Sequence, residues 1–204
     1  MTAQQDSSTS AEKFPIDSKE LLEDGEPGRK RIMFLTSSEF GQANVILAVA
    51  YELLLRQEYD VHIASFAPLE GRIHNLNVLL PQNATPATFH TIAGPSLSQC
   101  LEEKNEAIGP FPPGIMGALK TYRITLPAMA TGWDITQYMV GYESCLETLR
   151  DVDPDLIIIE PGFFPGLDAC TTLSRKYVVL SPNTFQEILR YRQPKFNLLC
   201  RNPV

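Results

Sequence analysis

The segment from Arg31 to Ser65 constrains this chain more than any other, because it reads strand, polar glycine turn, apolar helix, strand in unbroken succession. Arg31-Ile-Met-Phe-Leu-Thr36 is a short, apolar, β-leaning run, as expected of a parallel strand covered by helices on both faces of its sheet. Ser37-Ser-Glu-Phe-Gly-Gln42 interrupts it with polar residues. They emerge at the carboxyl end of the first strand, where open parallel sheets bind ligands. Ala43 to Arg56 then sets Ile46, Val49, Ala50, Leu53 and Leu54 at helical spacing, and Tyr59 to Phe66 forms a second strand. A helix between two parallel strands makes a right-handed crossover, so one βαβ unit is encoded here.

The rest of the chain keeps the alternation. Arg72 to Leu80 reads as a short helix, Thr88 to Ile92 as a third strand, and Leu97 to Ala107 as a helix ending near Gly109. Pro110 to Gly114 is too proline-dense for either regular element, and a helix with a break near Pro127 is expected from Ile115 to Met129. The strongest helical pattern starts from Thr131 as cap with Asp134 as its acidic partner. It carries Ile135, Tyr138, Met139, Tyr142, Cys145, Leu146 and Leu149 as one continuous buried stripe. Asp155 to Glu160 is a second buried parallel strand ending on a carboxylate, followed by a helix from Pro165 to about Arg175 and a strand from Tyr177 to Ser181. The expected fold is α/β, a Rossmann-like parallel sheet with helices on both faces, over residues 29–192. Residues 1–28 are expected to be a disordered polar tail and 193–204 a tail or the start of a linker.

Several function classes lack their signatures. A net charge of −7 gives no nucleic-acid footprint, and the one basic cluster, Arg29 to Arg31, is read as the entry to a strand. The four cysteines form no C-x-x-C pair, and His62, His74 and His90 have no metal-ligand spacing, so free buried thiols and no metal are expected. His62 reads as a satisfied core histidine and His90 as a weaker pocket candidate. No run reaches the roughly 18 apolar residues of a membrane-spanning helix, and no secretory signal begins the chain, so a cytoplasmic location is expected, with any peripheral membrane contact left to a part not in this sequence. Asn83-Ala-Thr85 is taken as a chance sequon. The Gly41 turn has no G-x-G-x-x-G spacing, and neither a phosphate loop nor a G-x-S-x-G elbow occurs. What remains is a pair of strand ends, Ser37 to Gln42 and Glu160 to Phe164, able to share one carboxyl edge.

Phe34 to Leu55 followed by Tyr59 to Phe66 resembles the opening of a UDP-glycosyltransferase, with its strand, glycine-histidine turn, helix and second strand. Asp153-Pro-Asp-Leu-Ile-Ile-Ile-Glu160 and Val178 to Pro182 resemble that family's later strand, helix and strand ending in Ser-Pro, most closely in fungal members. The resemblance spans about Arg31 to Asn183. It implies the amino-terminal, acceptor-binding half of a GT-B fold, truncated before the donor-binding domain, whose signature has no counterpart here. The intact form would transfer a sugar from a UDP-sugar donor to a hydroxyl of a lipophilic small molecule. This chain alone would bind no cofactor and be inactive without a donor domain in cis or as a separate subunit.

The departures from the family pattern matter as much. Gln42 occupies the position of the family's histidine base, and Glu160 that of the aspartate which orients it. An amide orients a hydroxyl but takes no proton near neutral pH. Three readings stay open: Glu160 or Glu39 takes the proton, positioning alone suffices, or the module is a noncatalytic binder that has lost its histidine. A flavodoxin-like domain of unrelated role is a further alternative. Ser37, Ser38, Phe40, Gly41, Phe66, Phe111, Phe163 and Phe164 are the candidate acceptor-binding residues.

Overall fold

A computed structural model describes residues 28–103, 113–117, 119–120, 122–123 and 132–183. Nearly all of the expected amino-terminal tail, the whole of the carboxyl-terminal one, the proline-rich loop up to residue 112 with Phe111, and Thr131 lie outside the described residues. The elements are β1 (Lys30–Leu35), α1 (Phe40–Arg56), β2 (Tyr59–Phe66), a single 3-10 turn (Ala67–Leu69), α2 (Glu70–Val78), β3 (Thr88–Ile92), α3 (Leu97–Glu103), α4 (Ile135–Val152), β4 (Leu156–Ile159), α5 (Phe164–Thr172) and β5 (Tyr177–Val179). The five strands are all parallel, in the order β3-β2-β1-β4-β5. The order reverses at β1, so the crevice between the carboxyl ends of β1 and β4 is the topological switch point.

Alternation along β1 divides the core in two. Ile32 and Phe34 pack with Ile46, Ala50 and Leu54 of α1 and Ile73 of α2 on one face. Met33 and Leu35 pack with Cys145 and Leu149 of α4 and Ala169 and Cys170 of α5 on the other. Side chains of successive strand residues leave opposite faces, and both faces are dry, which is why β1 is an unbroken apolar run. The Rossmann-like sheet with helices on both sides is therefore the fold. At the amino end, Arg31 is held by the strand-to-strand contact rather than by a ligand: its N–H donates to Asp155 Oδ2 at 2.7 Å and its guanidinium to the Val152 carbonyl.

Two expectations at helix starts are corrected. α1 begins at Phe40 instead of Ala43, so Phe40, Gly41 and Gln42 form its first turn rather than a preceding loop. α4 is capped by Asp134, whose carboxylate accepts the Gln137 N–H at 2.7 Å while the Gln137 side chain accepts the Asp134 N–H at 3.0 Å, a capping box one turn later than expected. The continuous buried stripe on α4 is also corrected. Cys145 and Leu149 are buried, but Ile135 is 84% exposed and Met139 39% exposed, so the stripe is covered only along the later turns of α4.

His62 on β2 and His90 on β3 meet across the ladder, Nδ1 to Nε2 at 3.0 Å, with Asp60 Oδ2 3.2 Å from the other nitrogen of His62. Burial, and then the neighbouring His62, lower the pKa of His90 from its ordinary 6.5, against a weaker opposite pull from Asp151. A group whose folded pKa is depressed in this way binds fewer protons folded than unfolded at mildly acid pH. Its stabilising contribution is whole above the unfolded value of 6.5 and is lost as pH falls through and below it. The urea midpoint should therefore fall between pH 7.5 and pH 5, and His90→Gln should flatten that part of the profile. An unchanged slope in the variant would show that His90 is not responsible.

Candidate functional site

Six polar residues are buried among the described residues: Thr36, Ser37, Ser38, Ser65, Ser96 and Glu160. All six follow or close a strand at its carboxyl end, after β1, at the end of β2, after β3 and after β4. Burying polar groups is unfavourable unless each finds a partner, and a sheet built only for packing gathers none at one edge. Several do have partners. Ser96 caps α3, its hydroxyl receiving the Gln99 N–H at 3.3 Å while the Gln99 side chain accepts the Ser96 N–H at 2.8 Å. The Ser38 and Ser65 hydroxyls have no hydrogen-bond partner among the described residues.

Glu160 joins the two strands at the switch point. Its N–H donates to the Leu35 carbonyl at 3.0 Å, one carboxylate oxygen accepts the Ser37 N–H at 3.4 Å, and the other accepts the Gly162 N–H at 2.6 Å. The residue is 1% exposed and its carboxyl group folds back over Gly162, where any Cβ would lie 2.6 Å from Oε1. That glycine is required for the carboxylate to sit there. Glu160 and Ser37 are thus in direct contact, and Gln42 stands on the same edge, half-buried in the first turn of α1.

The other candidate residues divide. Glu39 is the N-cap of α1 but makes no side-chain cap bond to it; its carboxylate accepts the Ser98 N–H of α3 at 3.1 Å. Gly41 has open space where a Cβ would stand, so its lack of a side chain is not a packing requirement. Phe40 is 60% exposed, with the Arg72 guanidinium over its ring at 4.4 Å. Phe66 and Phe163, expected along a pocket wall, are fully buried and pack edge to face at 5.6 Å, forming core beneath the crevice instead of its surface. Phe164, the next residue, is 50% exposed.

Phe164 lines a groove of about 420 Å³ between the starts of α4 and α5, together with Trp133, Ile135, Tyr138 and Met139, with Asp134 and Asp168 at its polar margins. Trp133 is fixed by its indole N–H donating to the Pro95 carbonyl at 2.9 Å and by the Phe66 ring 6.0 Å away. The Tyr138 hydroxyl donates to Asp168, and burial followed by that bond raises its pKa above the ordinary 10.0. Sequence reasoning misses this groove by assigning Ile135 and Met139 to the core. The Asp134-x-x-Gln137 box is the available signal, since it puts Ile135 in the first turn of α4. Among the described residues no cluster of His, Cys, Asp and Glu could hold a metal, and no helix is long and apolar enough to cross a membrane. Burial raises the Cys170 thiol to about 11 and raises Cys145 further, so neither is a nucleophile near neutral pH.

A doubly wound parallel sheet with buried polar groups gathered at its switch point is a Rossmann-like domain. Glycosyltransferase sdnJ of Sordaria araneosa is 36% identical to this chain over 176 residues, covering 81% of the chain and 34% of the relative. The chain is homologous to this glycosyltransferase and spans about a third of its length. No protein-family model matches it. Among solved structures, the Streptomyces sp. SF2575 glycosyltransferase SsfS6 gives a TM-score of 0.49 at 16% identity, over 74% of this chain and 39% of that one. The glycosyltransferase SnogD from Streptomyces nogalater gives 0.47 at 16% identity, over 76% and 35%.

Proposed function

We propose that this chain is the acceptor-binding half of a GT-B glycosyltransferase, which in the intact protein transfers a sugar from a UDP-sugar to a hydroxyl of a lipophilic small molecule. The observation that carries this reading is the Glu160–Ser37 contact at the switch point, inside the set of polar residues buried along one sheet edge. The acceptor hydroxyl is placed there, oriented by the Gln42 amide. The apolar body of the acceptor lies toward the groove of Trp133, Tyr138 and Phe164. Of the two candidate carboxylates, Glu160 is taken as the proton acceptor, because it stands at the switch point between β1 and β4 in contact with Ser37, whereas the Glu39 carboxylate is turned toward Ser98 of α3. Donor and hydroxyl must be held together for transfer, so residues 1–204 by themselves transfer no sugar.

A specific observation favours a second reading. Gln42 stands where the resemblance puts a histidine, and an amide takes no proton, so the module could bind an acceptor without acting on it. Both readings require an alcohol site at the carboxyl edge. Titrating the ¹⁵N-labelled chain with cyclohexanemethanol is expected to shift the amides of Ser37, Ser38, Gln42 and Gly162. Shifts confined to the amino end of the sheet, or none, would defeat both.

A further inference from the structure

We infer that the acceptor carries an oxyanion, a carboxylate, which Arg72 binds at the start of α1; the inference rests on the acceptor reading above and adds a charge to the substrate. Arg31, Arg56 and Arg175 each pair with a carboxylate. Among the described residues Arg72 pairs with none, as is also true of Arg29, Arg123 and Arg150, but only Arg72 has a guanidinium nitrogen, Nη1, shut off from solvent with no hydrogen-bond partner among them. An N–H of a charged group left buried and unmatched is costly, more so than a neutral one. Such an arrangement persists where a ligand supplies the acceptor.

The surroundings suit an anion. The guanidinium carbon lies 4.4 Å over the Phe40 ring, a contact that shields one side of the cation from water and so strengthens its attraction for an anion. Phe40 opens α1, a helix of 17 residues whose first turn holds no acidic residue and whose cap makes no side-chain bond to it. The Gln42 and Ala43 N–H groups donate to the Glu39 carbonyl, and the Glu39 carboxylate is turned to Ser98 instead of capping the helix, so the partial positive charge of α1 is present at this end. Two hydroxyls without partners among the described residues border the same end: Ser38, 5% exposed, directly precedes the cap, and Ser65 lies at the carboxyl end of β2, next to Ala64, whose carbonyl accepts the Thr36 N–H at 3.2 Å. The nearby carboxylates do not oppose an anion freely, because Glu39 is engaged by the Ser98 N–H and Glu160 by those of Ser37 and Gly162. The carboxyl edge is thus cationic beside α2, polar at the switch point and apolar between α4 and α5.

The test measures binding of three probes to the chain by ¹⁵N shifts: cyclohexanecarboxylate, cyclohexanemethanol and uridine diphosphate. The carboxylate is expected to bind about tenfold more tightly than the alcohol, with shifts at Phe40, Gly41 and the Arg72 Nε. That advantage should vanish in Arg72→Gln, survive in part in Arg72→Lys, and shrink in the parent chain at about 0.5 M NaCl while alcohol binding holds. An alcohol that binds with no gain from the carboxylate, or a gain that survives Arg72→Gln, overturns this inference alone. A gain confined to uridine diphosphate assigns the oxyanion to the donor and overturns it too. If neither cyclohexane compound perturbs the carboxyl edge, the acceptor reading falls with it.

Discussion

In a chimera where this chain replaces the matched 176 residues of the Sordaria araneosa relative, Glu160→Gln is expected to lower turnover by roughly a hundredfold to ten-thousandfold, the range of a lost general base. The substitution keeps the size of the side chain and an oxygen for one of the two N–H donors now met by the carboxylate, those of Ser37 and Gly162. Binding of the acceptor should therefore change only a few-fold while the chemical step slows, so the loss falls on kcat and not on KM. Turnover like that of the parent chimera would remove Glu160 from the chemistry. Gln42→His supplies the complementary arm. If the parent chimera is silent and transfer appears only once Gln42→His has put an imidazole at that position, the noncatalytic reading is the correct one.

Gly166→Val should be the most destabilising single change at the start of α5, by roughly 3 kcal/mol, because it forces volume into a filled core. A Cβ there would lie 2.6 Å and 2.8 Å from two carbons of the Phe163 ring and 3.1 Å from Ile159 Cδ1. Neither neighbour can retreat: both are fully buried, and the ring is held edge to face by Phe66. Gly41→Ala is the control, since nothing lies within 4 Å of its Cβ position and alanine favours a helix by up to about 1 kcal/mol. Urea unfolding separates the two, and a parent-like midpoint for Gly166→Val would contradict the packing described.

The strands are legible where composition leaves no choice. β1 is apolar from Ile32 to Leu35 between charged and hydroxyl residues, and β3 occupies the expected Thr88–Ile92. Helix starts are less so. Thr131-x-x-Asp134 and Asp134-x-x-Gln137 both satisfy a capping-box spacing, and only the backbone chooses between them. Periodicity names the inward face of α4 but not which of its turns are covered, which is why it assigns the exposed Ile135 and Met139 inward. In the site, Glu160 is visible as a carboxylate closing an apolar run. Its contact with Ser37 depends on β1 and β4 being neighbours, which strand order decides and local sequence does not. Phe163 and Phe164 are identical letters with opposite fates, core and surface, separated only by the phase of α5. Arg72 belongs to no motif, and its isolation from any carboxylate among the described residues is a property of three dimensions alone.

Trp133 is the sole tryptophan of the chain, and it stands in the wall of the groove, pinned through its indole to the loop that follows β3. The molecule thus carries a built-in optical reporter at the place where an acceptor would rest. Its ultraviolet emission, free of interference from any other indole, registers the polarity of that wall without a label, so displacement of water by a hydrocarbon ligand becomes a blue-shifted spectrum.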